Sequence, residues 1–311
     1  MIPDTADAIR ERVCAALALN RRPGFHFPGY FFETTWTHFG KNDIVQEMAV
    51  GPHCVDTRGA IDFLALGVMI DSALSTAPRL VITPGARMAT VHLDAQFTGL
   101  DARGKFRMGA QFEGFSVGKT VPQALSKGVL SMDDKPFCHA TATFVVLPPP
   151  PRARLAPLPW QAPPQAPPAP LRPEEMDADE RAVLAACERA LAHASAEESF
   201  SEHFWDVRPK EVNEGADCTV ALGPQHRNRV GHVQGGLLLA LAAATACKAA
   251  LRHPALCNIG SWYISPGQGE TLVVRSRIVH AGRSFAVVRT EIRNADGALV
   301  HEAVSNHASH Q

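Results

Sequence analysis

Between Pro148 and Pro173 the chain reads PPPPRARLAPLPWQAPPQAPPAPLRP, which holds 12 of its 24 prolines and can neither enter a sheet interior nor continue a helix. The 311-residue chain is therefore expected to fold as two halves, 1–147 and 174–311, joined by an extended linker over 148–173. At about 3.1 Å per residue such a linker spans the width of a small domain, leaving the halves free to pack in almost any orientation. With 46% hydrophobic residues, each half carries enough apolar content for a core of its own.

Each half shows the same succession of patterns. A helical stretch (6–19; 178–193) leads to a strand-like segment ending in Gly-Pro (44–52; 217–224) and then to a long apolar helix (61–75; 236–252). Four strands follow, at 89–97, 105–115, 121–130 and 136–147 in the first half and 258–264, 271–280, 285–293 and 298–307 in the second. One helix followed by four antiparallel strands predicts an α+β fold in which each sheet curls around its own buried helix. The halves also align residue by residue. Gly51 pairs with Gly223, Asp56 with Asn228, Gly59 with Gly231, Asp62 with Gln234 and Asp71 with Ala243, each pair 172 positions apart. Gly118-Lys119 then pairs with Gly282-Arg283 at a spacing of 164, which places eight extra first-half residues in one loop near 78–87.

Composition excludes several classes of function. Thirty basic against 31 acidic residues leave no electrostatic footprint for nucleic acid or an anionic membrane, and the longest apolar run, 235–247, is too short to span a bilayer. The amino-terminal MIPDTADAIRERV lacks the basic start and apolar core of a secretory signal, so a cytoplasmic protein is expected. Seven scattered cysteines with no C-x-x-C pair read as reduced thiols rather than a disulfide framework or a metal site.

The segment Asn228-Arg-Val-Gly231-His-Val-Gln234-Gly235-Gly236, running straight into the second apolar helix, resembles the N-x-x-G-x-x-H-G-G signature of hotdog-fold acyl-CoA thioesterases, the phenylacetate-pathway type most of all. Trp262-Tyr-Ile-Ser-Pro-Gly and His280-Ala-Gly-Arg283 resemble that family's strand-turn and its basic, CoA-facing corner. The resemblance implies two tandem hotdog domains packed as a pseudo-dimer in one chain, with acyl-CoA as substrate, no metal or organic cofactor, and further pairing into a homodimer of double hotdogs. Two departures stand out: Gln234 occupies the position of the family's histidine, and Ala243 that of its catalytic acid.

In that family the glycines come from one hotdog and the acid from its partner. The first half has an acid at the matching position, Asp71, but Phe63-Leu64 in place of the glycine pair. The resemblance thus implies one composite site, formed by Asp71 with Asn228, Gln234, Gly235 and Gly236, and a mirror site lacking the chemistry. Thioester hydrolysis builds negative charge on a carbonyl oxygen, and amides at a helix start are pre-aimed donors, each typically worth roughly 3 to 4 kcal/mol in the transition state. Asp71 would activate water or attack the carbonyl directly; Gln234 can orient a group through its amide but cannot exchange a proton. Arg283 and Lys119, in equivalent hairpins, are candidate contacts to CoA phosphates; His232 and Thr90 are candidates for substrate binding or support of Asp71. Two other readings are a degenerate acyl-CoA binding protein, suggested by Gln234, and a hotdog enoyl-CoA hydratase or dehydratase, whose His-acid pattern the sequence lacks.

Overall fold

The computed structural model describes residues 3–22, 24–83, 85–116, 122–148, 157–161 and 165–309. In the first half, α1 (Pro3–Asn20) and the short α2 (Phe27–Phe31) precede β1 (Thr34–Phe39), β2 (Asp43–Met48), the long helix α3 (Phe63–Arg79), β3 (Arg87–Phe97), β4 (Phe106–Ser116), β5 (Gln123–Met132) and β6 (Lys135–Leu147). The second half follows the same order: α4 (Ala178–His193), α5 (Phe200–Phe204), β7 (Lys210–Val212), β8 (Gly215–Ala221), α6 (Gly235–Ala249), β9 (Ala255–Tyr263), β10 (Thr271–Ala281), β11 (Phe285–Asn294) and β12 (Leu299–Ala308). The periodicity located the long helices and the four later strands of each half to within a few residues. It missed α2, α5 and the edge strands β1 and β7. Each missed helix is a single turn, and Lys210–Val212 is exposed throughout, so none of these segments has an apolar period to read.

Rather than two separate curled sheets, the described strands form one twelve-stranded antiparallel sheet, in the order β1-β2-β4-β5-β6-β3-β9-β12-β11-β10-β8-β7. The seam is the β3–β9 pair, where His92 lies opposite Trp262 and Gln96 opposite Asn258. The registers also revise the spacing between halves. Asp43 faces Gln111 where Gly215 faces Arg277, so β2 and β8 keep the 172 spacing while β4 and β10 are 166 apart. Phe112 faces Ser126 where Ile278 faces Val288, a spacing of 162 for β5 and β11. The spacing therefore steps at the helix-to-β3 loop and again at the β4–β5 turn, not once by eight.

The inner sheet face alternates as a half-buried sheet should: Ala286, Val288, Thr290 and Ile292 of β11 are buried, with more exposed neighbours between them. α3 packs on β2, β4, β5 and β6, and α6 on β8 through β12. The two helices meet each other at backbone distance, because a Cβ on Gly236 would fall 2.1 Å from the Gly67 carbonyl oxygen. This contact brings the middle of α3 to the first turn of α6 and unites both halves in a single apolar core. No helix among the described residues is long and apolar enough to cross a membrane. All seven cysteines are free thiols.

The described part of the proline-rich segment is docked rather than a free tether. Leu158 is buried, the Trp160 ring lies 4.6 Å from Trp36 and 5.7 Å from Phe39, and a Cβ on Gly24 would meet the Pro157 carbonyl at 2.1 Å. Apolar side chains spaced among the prolines explain the docking: an extended chain can still lay Leu and Trp onto an aromatic surface.

Candidate active site

α3 is buried along almost its whole length, so its run of apolar residues carries Asp71 into the interior, where a carboxylate is costly unless partnered. The partners come from both halves. Thr90 of β3 donates its hydroxyl to Oδ1 at 2.9 Å, and Gln234, immediately before α6, donates its Nε2 to Oδ2 at 2.8 Å. The other side-chain atom of Gln234, Oε1, accepts the Leu237 amide at 2.9 Å and so caps α6. A carboxamide can cap the helix through its oxygen and hold a carboxylate through its nitrogen at once; a carboxylate in its place would face Asp71 with like charge.

The two glycines have different surroundings. Gly235 lines a cavity of about 600 Å³, and a Cβ there would lie 3.0 Å from Oδ2 of Asp71. Gly236 is pressed against Gly67 instead, and its amide favours the charged form of Asp71. The first amides of a helix have no carbonyl of their own helix to bond, so the Gly235 N–H is a donor at the positive end of α6. Tyr263 of β9 donates its hydroxyl to the Gly235 carbonyl at 3.1 Å and fixes that peptide from behind.

Burial pushes the Asp71 carboxyl up from its ordinary 3.8 to about 6, against the opposing pull of Thr90, the Gly236 amide, Arg79 and Gln234. A group with this value is largely ionised at neutral pH yet still basic enough to take a proton. Burial, with Asp71 nearby, raises the Tyr263 phenol well above its usual value and keeps it a neutral donor. His26 also lines the cavity. Burial and the charges of Arg229 and Arg79 lower it to about 3, and its Nδ1 accepts the Gly29 amide at 3.0 Å, leaving a neutral imidazole.

Comparison with known proteins shows what the chain is similar to. The family model of the acyl-CoA thioesterase N-terminal domain matches residues 224–309. Residues 224–309 are thus similar to an acyl-CoA thioesterase domain. Solved hotdog structures resemble nearly the whole chain. The tesB protein of Mycobacterium avium subspecies paratuberculosis is 16% identical with a TM-score of 0.52, covering 88% of this chain and 96% of its own. A protein provisionally assigned as an oleoyl thioesterase from Lactobacillus plantarum is 11% identical with a TM-score of 0.53, covering 88% and 98%. A hotdog-fold protein of unknown function from Alicyclobacillus acidocaldarius is 11% identical with a TM-score of 0.50, covering 89% and 96%. No functionally curated protein matches the sequence.

The structure brings together Asp71, Thr90, Gln234, Gly235 and Gly236 and leaves the other sequence candidates elsewhere. Asn228 touches the cavity edge, but its Oδ1 accepts the amides of Val230 and His232 at 2.9 and 3.1 Å, an Asx-type turn that shapes the loop. His232 lines the cavity half-buried, and among the described residues the side-chain hydrogen bonds to Asp71 come from Thr90 and Gln234, not from it. Arg283 lies in the β10–β11 turn. The neighbouring Gly282 carbonyl meets His253 Nε2 at 3.0 Å, just past the carboxyl end of α6 and some ~20 Å along the helix from Gly235. Lys119 lies outside the described residues.

Sequence reasoning did not single out Tyr263, Arg79, Arg229, His26 or Trp160, all of which line the cavity. Arg229 lies inside the quoted motif and Tyr263 inside the quoted strand-turn, so both were within reach. The remaining three come from segments that only the three-dimensional packing brings near Asp71.

Proposed function

We propose that this protein is an acyl-CoA thioesterase of double-hotdog architecture, in which residues 1–147 and 174–311 are the two hotdogs, packed as a pseudo-dimer across the proline-rich segment 148–173. Its one working site is composite: the first repeat supplies Asp71 and Thr90, the second Gln234 and Gly235. The observation that carries the reading is the hydrogen bond from Gln234 Nε2 to Asp71 Oδ2, which puts an internal carboxylate against the first glycine of a helix from the other half.

In this reading the thioester carbonyl sits over the Gly235 amide, where the helix dipole and an N–H aimed at the developing oxyanion stabilise the transition state. Ionised Asp71, oriented by Thr90 and Gln234, takes a proton from the attacking water or adds to the carbonyl itself. With no imidazole hydrogen-bonded to Asp71 among the described residues, proton transfer rests on that carboxyl, whose value near 6 suits the role at neutral pH. The symmetric spacing of Asp56 and Asn228, Gly59 and Gly231, and Asp62 and Gln234 supports the internal repeat.

The test is release of free CoA thiol from a panel of acyl-CoA esters. Wild-type protein is expected to hydrolyse at least one of them, and Asp71→Asn to remove the activity while retaining the native circular dichroism spectrum. A folded Asp71→Asn variant with undiminished turnover, or a wild-type protein that binds acyl-CoA tightly without turning it over, would refute the assignment.

A further inference from the structure

The cavity that reaches Asp71 also collects three arginines from three different segments: Arg79 at the end of α3, Arg87 at the start of β3 and Arg229 in the loop before α6. Among the described residues, none of the three has a carboxylate within 4.0 Å. Arg87 and Arg229 each reach only a backbone carbonyl, at 3.5 Å to Pro148 and 3.4 Å to Gly24. Two other half-buried arginines have acidic partners instead: Arg12 pairs with Glu33, and Arg293 with Glu291 at 2.8 Å. Arg79 lies two helical turns beyond Asp71, about 12 Å along the axis, on the face of α3 that also shows Ser72, Ser75 and Thr76 to the cavity.

Resting on the thioesterase reading of this cavity, we propose that Arg79, Arg87 and Arg229 form a phosphate subsite, which holds the phosphate groups of the CoA carrier while the pantetheine arm runs inward to Asp71. A single carboxylate is matched by one planar guanidinium fork. Three forks without acidic partners match the several charges and many acceptor oxygens of a phosphate or pyrophosphate. The offset from Asp71 fits an anion joined to the reacting carbonyl by a spacer, not one attached to the acyl carbon. Burial and the neighbouring Arg229 charge lower the Arg79 guanidinium to about 10, so the group is still cationic at neutral pH. The subsite replaces the hairpin residue Arg283 as the CoA-facing charge.

Calorimetric titration with CoA and with pantetheine, which lacks every phosphate, tests the proposal without relying on turnover. Arg79→Gln and Arg229→Gln are each expected to weaken CoA binding tenfold or more and to leave pantetheine binding within twofold. Added salt should weaken CoA binding to the wild type and hardly affect the double variant. Should Arg79→Gln fail to fold, Arg79→Lys and the rim variant Arg87→Gln carry the same comparison. Equal loss of CoA and pantetheine, CoA affinity unmoved by the substitutions, or a loss seen only with acyl groups that bear their own carboxylate would each overturn it. Arginine-dependent CoA binding in a protein that hydrolyses no ester would sink the thioesterase reading alone; hydrolysis indifferent to these arginines would sink the subsite alone.

Discussion

The starts of α3 and α6 are built on the same loop and end in opposite chemistry. Asp56 Oδ1 accepts the amides of Arg58 and Ala60, as Asn228 Oδ1 accepts those of Val230 and His232, and Gly59 and Gly231 both take the left-handed conformation, at φ +77° and +87°. Isolated bridges close both loops, Val55 to Ile61 and Arg227 to Val233. Both helices are then capped by the next polar side chain, Asp62 on Ala65 at 2.8 Å and Gln234 on Leu237 at 2.9 Å. After the caps they part. α6 begins with Gly235 against the Asp71 carboxylate and Gly236 against Gly67 of α3. α3 begins with Phe63, whose ring packs 6.2 Å from Phe97, and the α6 position matching Asp71 is the buried Ala243. The shared loop is thus a folding device, and in the proposed function the chemistry depends on the two or three residues that follow it together with one acid on the opposite helix.

Substitutions at matched positions can break that comparison. The largest effect is expected at the acids: Asp71→Asn should lower kcat for acyl-CoA hydrolysis about 10³-fold, the typical size of a general base's contribution, while Asp62→Asn should leave it within twofold. Equal losses would make the two helix starts equivalent. Next come the glycines. Gly235→Ala keeps the amide donor but places a methyl group at the carboxylate, in the way of the substrate carbonyl, and should cost up to about 10² in kcat, the loss expected if the carbonyl is pushed off that donor, with a small change in melting temperature. Gly236→Ala drives the same methyl group into Gly67 and should lower stability by about 1–3 kcal/mol or more in urea titration, whatever its effect on turnover.

A smaller effect follows from the raised Asp71 value. An acid whose folded value lies above its unfolded one favours the folded state in its neutral form, so ionisation destabilises the protein progressively as pH rises from about 4 through about 6. The melting temperature of Asp71→Asn relative to wild type should therefore rise between pH 4 and pH 7. A flat difference would mean that Asp71 is not held in a desolvated site. The smallest expected change is at Thr90→Val, a loss of roughly tenfold in turnover from removing one hydrogen bond to a charged group.

Much of this was legible in the sequence. The apolar runs from Leu64 and Leu237 read as interior helices, and the structure brings the acid at 71 beside the glycine at 235; their acting as one catalytic site is what we propose. Less legible was the division of labour between those glycines. Both fit an amide-donor role on paper, but Gly236 is required by the approach of Gly67, a contact that depends on how α3 crosses α6. The proline-rich segment read as a tether because composition reports backbone stiffness and says nothing of where Leu158 and Trp160 find an aromatic surface. Arg283 matched a motif position, yet the length of α6 carries it far from Asp71, while Arg79 and Arg87 lie outside every motif quoted from the sequence.

The central claim is that one site is assembled across the two halves, and Gln234→Ser addresses it directly. Serine still caps α6 but is too short to reach Asp71, so the variant removes the Gln234–Asp71 hydrogen bond and keeps the cap. The acidic limb of the pH profile of kcat/KM should fall near pH 6 in the wild type and move to higher pH in Gln234→Ser, because the lost hydrogen bond favoured the carboxylate. A limb that stays in place would mean that Asp71 and Gln234 do not act in the same site.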